Sequence, residues 1–329
     1  MSPIVVISAW FVVLFIALII LLKSADYFVC IAEKLGNKFN IHAFIIGATV
    51  VAFGTSLPEL AVGITSILGG EPDIITGTVV GSSVSNILFI TGIAILISTG
   101  FVIRFDEHRI EFLLLILSTI LCACFLWDKS FKLIEALICL VLLAIYLVYV
   151  VWFSNKNFEH SKHNKIIIHK KEYTLFALSS FGVWLGAKYT IDAITNISQM
   201  LSLGNDVIAQ TVVALGTSLP ELAVTVAAAR KKQFGIVLGN VVGSNIFNLL
   251  AVLAIPTVVG VFSQKPYFVD DDGFNQFAIP LMLLATLLLV LVSFFKVTPR
   301  SFGVLFLLLY IFFVVGSFLK INLFLFFRY

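Results

Sequence analysis

The chain has 329 residues, 60% of them hydrophobic and 12% charged, and its mean hydropathy is +1.10. That is too apolar for a soluble domain of this size and points to an all-α polytopic membrane protein. An open sheet is excluded because its edges would leave backbone groups unpaired in lipid, and a β-barrel because the apolar runs are continuous rather than alternating. The formal net charge of +3 says less than where Lys and Arg are placed.

Apolar runs long enough to cross a bilayer fall near residues 3–31, 43–69, 73–98, 109–127, 131–153, 173–200, 206–230, 234–262, 275–295 and 302–325, which predicts about ten transmembrane helices. The first run, Pro3–Leu22, follows no basic segment and is long enough to span, so it reads as a helix of the mature protein rather than a cleaved signal. Cys30, Cys122, Cys124 and Cys139 all lie in apolar runs without a CxxC spacing, and are expected as small buried packing residues.

Residues 154–172 (SNKNFEHSKHNKIIIHKKE) form the one long polar stretch. They divide the chain into a first five-helix repeat (1–153), a basic linker, and a second five-helix repeat (173–329). An odd number of spans per repeat makes the second enter the membrane from the opposite side, so inverted topology is expected. Placing both termini outside puts Lys34, Lys38, Arg104, Arg109, the linker lysines, Arg230, Lys231, Lys232, Lys296 and Arg300 on the cytoplasmic side. Lys23, Lys188 and Lys320 lie within or near span ends, where long stems can snorkel, and are left uncounted. Only Lys129, Lys132, Lys265 and Arg328 then face outward, the asymmetry that positive-inside orientation requires. His160, His163 and His169 read as part of a solvated linker against anionic lipid, and Asp270–Asp272 as a solvated outer loop.

One stretch occurs twice. Gly47–Gly63 reads GATVVAFGTSLPELAVG and Ala209–Thr225 reads AQTVVALGTSLPELAVT; a second matched piece follows each, GTVVGSSVSNIL (Gly77–Leu88) and GNVVGSNIFNLL (Gly239–Leu250). An internal repeat in a membrane chain points to a transporter with its site where the repeats meet. Pro58 lacks an N–H inside an apolar helical run, so the Gly54 carbonyl loses its partner and carbonyls near Ala52–Gly54 should turn out of the regular ladder, a distortion that Gly54 permits. Pro220, Gly216 and Ala214 repeat the arrangement. Thr55 and Ser56 share a helical face with Glu59, as Thr217 and Ser218 do with Glu221. In the following spans Ser82 and Asn86 are four apart, as are Ser244 and Asn248. Gly77/Gly81 and Gly239/Gly243 supply small faces for close helix approach.

A glutamate within a membrane span is costly and marks function. Two of them, with hydroxyls, amide oxygens and freed carbonyls but no sulfur or imidazole, make a shell suited to Ca2+ or Na+ rather than to Zn2+ or Cu. These paired motifs, in halves of five spans, strongly resemble the Na+/Ca2+ exchanger family of the cation/Ca2+ antiporter superfamily, in its prokaryotic form without regulatory domains. The resemblance implies that Glu59 and Glu221 are central Ca2+ ligands shared with Na+. It places Thr55, Ser56, Ser82 and the Ala52 carbonyl at one flanking Na+ site, and Thr217, Ser218, Ser244 and the Ala214 carbonyl at the other. Asn86 and Asn248 would line the middle. Some members carry Asp at the position of Asn248, and its replacement here removes a carboxylate and weakens any case for K+ coupling.

The function expected is exchange of Ca2+ for Na+ by alternating access in a prokaryotic inner membrane, with the ions as substrates and no cofactor, nucleic acid or obligate protein partner. Ca2+/H+ antiport is the alternative. GSSVSNIL resembles the matching stretch of H+-coupled exchangers, but those carry Asn where Thr55 and Thr217 stand, which favours Na+. An intramembrane hydrolase using Ser56 or Ser82 is disfavoured because no span places a His, a paired Asp or an HExxH motif near them. A passive channel is disfavoured because duplicated halves suit rocking better than a static pore.

Overall fold

In hydrocarbon each backbone N–H and C=O must find a partner within the chain, and apolar runs of this length do so as helices. The computed structural model describes residues 3–39, 41–70, 72–98, 108–127, 130–156, 170–200, 214–265, 274–295 and 297–318. The first half contains α1 (Pro3–Phe39), α2 (Ala43–Thr55), α3 (Leu57–Gly69), α4 (Pro72–Ile97), α5 (Arg109–Leu126) and α6 (Leu133–Lys156). The second contains α7 (Lys170–Met200), α8 (Ala214–Thr217), α9 (Leu219–Arg230), α10 (Phe234–Phe262), α11 (Phe274–Val292) and α12 (Arg300–Phe318).

Among the described residues, six helices are long and apolar enough to cross a membrane, and the bent pair α2–α3 makes a seventh. The difference from ten has local causes. α7 is 31 residues long but carries Lys188 and Asp192 within its length. The apolar part of α11, Phe277–Val292, is short. Residues 206–213 of the expected 206–230 run lie outside the described residues, as do the linker histidines, Asp270–Asp272 and residues 319–329. Of the cysteines, Cys122 and Cys139 are buried as expected, whereas Cys30 is only half-buried and Cys124 is exposed, because its side of α5 faces away from the bundle.

α4 and α10 are the most enclosed of the long helices, and α1 lies at the periphery against α7. The α1–α7 contact is close because α7 presents Gly182 and Gly186; a Cβ on Gly186 would fall 2.6 Å from the Leu21 nitrogen. The central crossing is of α2 with α10. A Cβ on Gly47 would lie 2.6 Å from the Ile236 carbonyl oxygen, one on Gly243 would lie 2.5 Å from that of Ala48, and one on Gly239 would run into that of Phe44. Three glycines thus let two backbones touch, as small-residue faces do in membranes. A Cβ on Gly77 would meet no described atom of another element within 4 Å, so this glycine is not at a close crossing. The segment matching Phe44–Ala48, residues 206–210, lies outside the described residues.

Gly243→Leu is expected to destabilise the protein by about 1–3 kcal/mol through overpacking, read as a lowered thermal transition in detergent. Gly69→Ala, with nothing within 4 Å of the added methyl, is expected to stay within about 0.5 kcal/mol of the parent.

Candidate cation-binding site

The helix break is built by local chemistry. Ser56 stands between α2 and α3 with φ −89° and ψ 5°, and the two segments meet at a bend of 40°. Pro58 follows in the first turn of α3 and cannot return an N–H to Gly54. Ser218 repeats the conformation with φ −84° and ψ 2° ahead of Pro220. The carbonyls of Ser56 and Ser218 accept from the Leu60 and Leu222 nitrogens at 3.2 and 3.0 Å, so each new helix starts on its serine.

The Ala52 carbonyl differs from expectation. It keeps its ladder partner, the Ser56 nitrogen at 3.0 Å, and also lies 3.3 Å from the Thr55 hydroxyl. The proline frees the carbonyl two residues later, at Gly54, so Ala52 has only its remaining lone pair to offer a cation. Ala214 opens α8 at the edge of the described residues.

The break brings the two carboxylates inside. Glu59 is 0% and Glu221 1% exposed. Ser56 Oγ donates to Glu221 Oε1 at 3.1 Å, tying the first motif to the second. Glu59 Oε1 and Oε2, Glu221 Oε2, Thr217 Oγ1, Ser82 Oγ and the side-chain amides of Asn86 and Asn248 are buried without a hydrogen-bond partner. Most of the unpartnered buried polar atoms among the described residues belong to this one set. An unmet buried donor or acceptor costs about 1–3 kcal/mol, and more for a charged group. The concentration of so many in one place is therefore the mark of a binding site. The other unpartnered atoms of the set are hydroxyl and amide groups, with no imidazole or thiol among them.

The flanking groups combine differently from the within-half grouping. Thr55 Oγ1 lies 3.5 Å from Ser244 Oγ, so a first-half hydroxyl shares its position with a second-half one. The cause is an interlock. α2 packs on the first part of α10, while α8 packs on α4 and α9 on the later turns of α4. Each motif therefore faces the following span of the other half.

Widened turns with π hydrogen bonding occur at Gly47–Val51, Ser85–Ile90 and Asn248–Val252, and such turns concentrate at functional sites. Each has a carbonyl met by a side-chain donor: Tyr146 Oη to Ala48 O at 3.2 Å, Thr91 Oγ1 to Asn86 O at 3.0 Å, and Cys122 Sγ to Leu249 O at 3.0 Å. Asn240 is a polar residue of this centre that the motif analysis passes over. It is 1% exposed, and it is within hydrogen-bonding distance of Thr55, Ser244 and Thr225. Its signal lies in the stripe Asn240, Ser244, Asn248, four residues apart on one helical face.

These features define an α-helical membrane protein built around a buried, oxygen-lined centre where two broken helices meet. The family model for sodium/calcium exchanger protein matches residues 9–155 and 171–319, and the chain belongs to that family. It is 33% identical to an uncharacterized membrane protein of Methanocaldococcus jannaschii over 90% of this chain and 94% of that one. It is 30% identical to the sodium/calcium exchanger MaX1 of Methanosarcina acetivorans over 94% of this chain and 98% of that one. Among solved structures it matches the sodium-calcium exchanger NCX_Mj soaked with Na+ and Sr2+, with a TM-score of 0.81 and 30% identity, over 94% of this chain and 99% of that one.

The interlock has a direct chemical readout. With the native cysteines replaced, Thr55→Cys combined with Ser244→Cys is expected to form a disulfide on mild oxidation, since the tips of the two native side chains already meet at 3.5 Å. After cutting a protease site introduced in the linker, the halves should stay joined only when both cysteines are present.

Proposed function

We propose that the protein is a secondary antiporter that exchanges Ca2+ for Na+ across a prokaryotic inner membrane by alternating access. The observation that carries this reading is the pair of glutamates, both buried and brought together from matched broken helices by the Ser56–Glu221 bond. Two ionised carboxylates balance one Ca2+ or two Na+, and the surrounding oxygens are hard donors of the kind these ions take. Family membership and the exchanger relatives support cation/Ca2+ antiport; the choice of Na+ rests on the site's own chemistry. Hydroxyls at Thr55, Ser82, Thr217 and Ser244, with the Ala52 and Ala214 carbonyls, offer flanking oxygen shells that Na+ uses and a proton does not need. Asn86 and Asn248 add neutral oxygens near the middle.

Exchange follows from competition. Ca2+ and Na+ claim the same two carboxylates, and an empty, doubly charged centre is a poor form in which to cross between states. In this reading the halves are inverted repeats of five spans, 1–153 and 173–329, with ten spans in all. Both termini are outside and residues 154–172 are cytoplasmic.

Glu59→Ala and Glu221→Ala should each reduce Ca2+ flux in proteoliposomes to background while the protein still purifies folded, and Gln should rescue little because the charge balances the cation. Radiolabelled Ca2+ uptake against Na+ loaded inside, with the pH gradient collapsed, should persist. Uptake driven by a pH gradient alone and indifferent to Na+ would replace this reading with Ca2+/H+ antiport.

The orientation is tested separately. A cysteine at Asn157 should react with an impermeant thiol reagent only from the cytoplasmic side, and one at Asp271 only from outside; labelling of both from one side would overturn the inverted arrangement.

A further inference from the structure

We propose that Asn240 is a positioning residue for the cation site on the Thr55 side, its amide oxygen taking the hydroxyl protons of Thr55 and Ser244 so that their lone pairs turn toward the ion. The inference rests on the exchanger reading and goes beyond it, because it assigns a role to a residue outside the direct ligand set.

Where each hydroxyl proton goes decides which lone pairs a cation can use. A hydroxyl has one proton to give and two lone pairs to offer, so it serves a cation well only if its proton goes elsewhere. Thr55 Oγ1 has three uncharged acceptors in range: the Ala52 carbonyl at 3.3 Å, Asn240 Oδ1 at 3.4 Å and Ser244 Oγ at 3.5 Å. It also interacts with the Glu221 carboxylate, where its proton would take a lone pair from a main cation ligand. If the proton goes to Ala52, it occupies the one lone pair that carbonyl has left, and the cation loses an oxygen. If it goes to Asn240, both Thr55 and Ala52 remain available. Ser244 Oγ also reaches Asn240 Oδ1, at 3.4 Å, and a carbonyl oxygen can accept both.

The amide is held the right way round by its other end. Nδ2 lies 3.0 Å from Thr225 Oγ1 and 3.5 Å from the Glu221 backbone carbonyl. The second of these is an acceptor only, which fixes the nitrogen on that side and turns the oxygen to the hydroxyls. Asn240 and Thr225 are 1% and 0% exposed, so no solvent competes for these protons. The anchor also ties the site to the helix that carries Glu221.

The halves are unequal here. The position matching Asn240 in the first half is Thr78, in GTVV against GNVV. Thr217, the residue matching Thr55, has no amide beside its hydroxyl, which interacts with the Glu59 carboxylate instead. The orienting amide therefore serves one flank of the site.

The test measures half-saturation for Na+ and for Ca2+ separately in proteoliposome exchange. Asn240→Ala should raise the Na+ value about tenfold, the scale of one lost hydrogen bond to a ligand. The Ca2+ value, set mainly by the carboxylates, should move less than about threefold. Asn240→Asp keeps an acceptor oxygen in place and should not raise the Na+ value. Thr225→Val, close in volume, removes the anchor and should shift Na+ in the same direction by about threefold; it decides the matter if Asn240→Ala does not fold. Equal shifts for both ions, an Asp variant as impaired toward Na+ as the Ala variant, or an unchanged Thr225→Val would overturn the role. Unimpaired flux with Glu59→Ala and Glu221→Ala, or wild-type exchange indifferent to Na+, would instead overturn the exchanger reading beneath it. Silent glutamate variants with a wild-type Asn240→Ala would remove this inference alone.

Discussion

Two carboxylates buried where neither water nor lipid can solvate them set the terms for the rest of the molecule. An isolated charge in a low-dielectric interior costs several kcal/mol even after relaxation, so the fold has to surround Glu59 and Glu221 with dipoles and keep hydrocarbon away. Broken helices do both. A helix interrupted at Ser56 presents its hydroxyl to Glu221, the carboxylate of the other motif. Backbone groups that the break disturbs are safe only because α4 and α10 enclose them. The close glycine crossing of α2 on α10 belongs to the same requirement: side chains at Gly47, Gly239 and Gly243 would hold the backbones apart and open the centre.

Polar groups in this centre follow two different rules. Those that support the fold are satisfied: Thr91, Cys122 and Tyr146 each donate to a carbonyl of a widened turn. Those facing the space between the broken helices are largely unsatisfied, with Glu59, Asn86 and Asn248 making no side-chain hydrogen bond. A core that spends donors so carefully on its own backbone and leaves these atoms unmet is organised for an occupant. In the proposed exchange, the substrate ion would be the partner that these atoms take.

Much of this was legible in the sequence because it depends on local rules. The doubled motif, the break before Pro58 and Pro220, and the burial of Glu59 and Glu221 follow from a helix that lacks an N–H and a charge that lipid rejects. What the sequence hid were tertiary choices. Spacing along one helix placed Thr55 with Glu59, but only the interlock of halves sets Thr55 beside Ser244. Proline position marked the Gly54 carbonyl for the lost partner and those near Ala52 for turning out, but the bond from the Ser56 nitrogen keeps Ala52 in the ladder. Asn240 sat in plain view within GNVVGSN, yet nothing in a linear motif tells that its amide lies between two broken helices.

The widened turns have a mechanical consequence. A turn closed by a five-residue rather than a four-residue step holds one additional residue and interrupts the regular ladder around it. In α4 and α10 such a turn falls at matching register, Ser85–Ile90 and Asn248–Val252, at Asn86 and Asn248. Each of the two most enclosed long helices therefore carries an irregular turn at a buried asparagine, so a small bend there would move the amide without unpacking the rest of the helix.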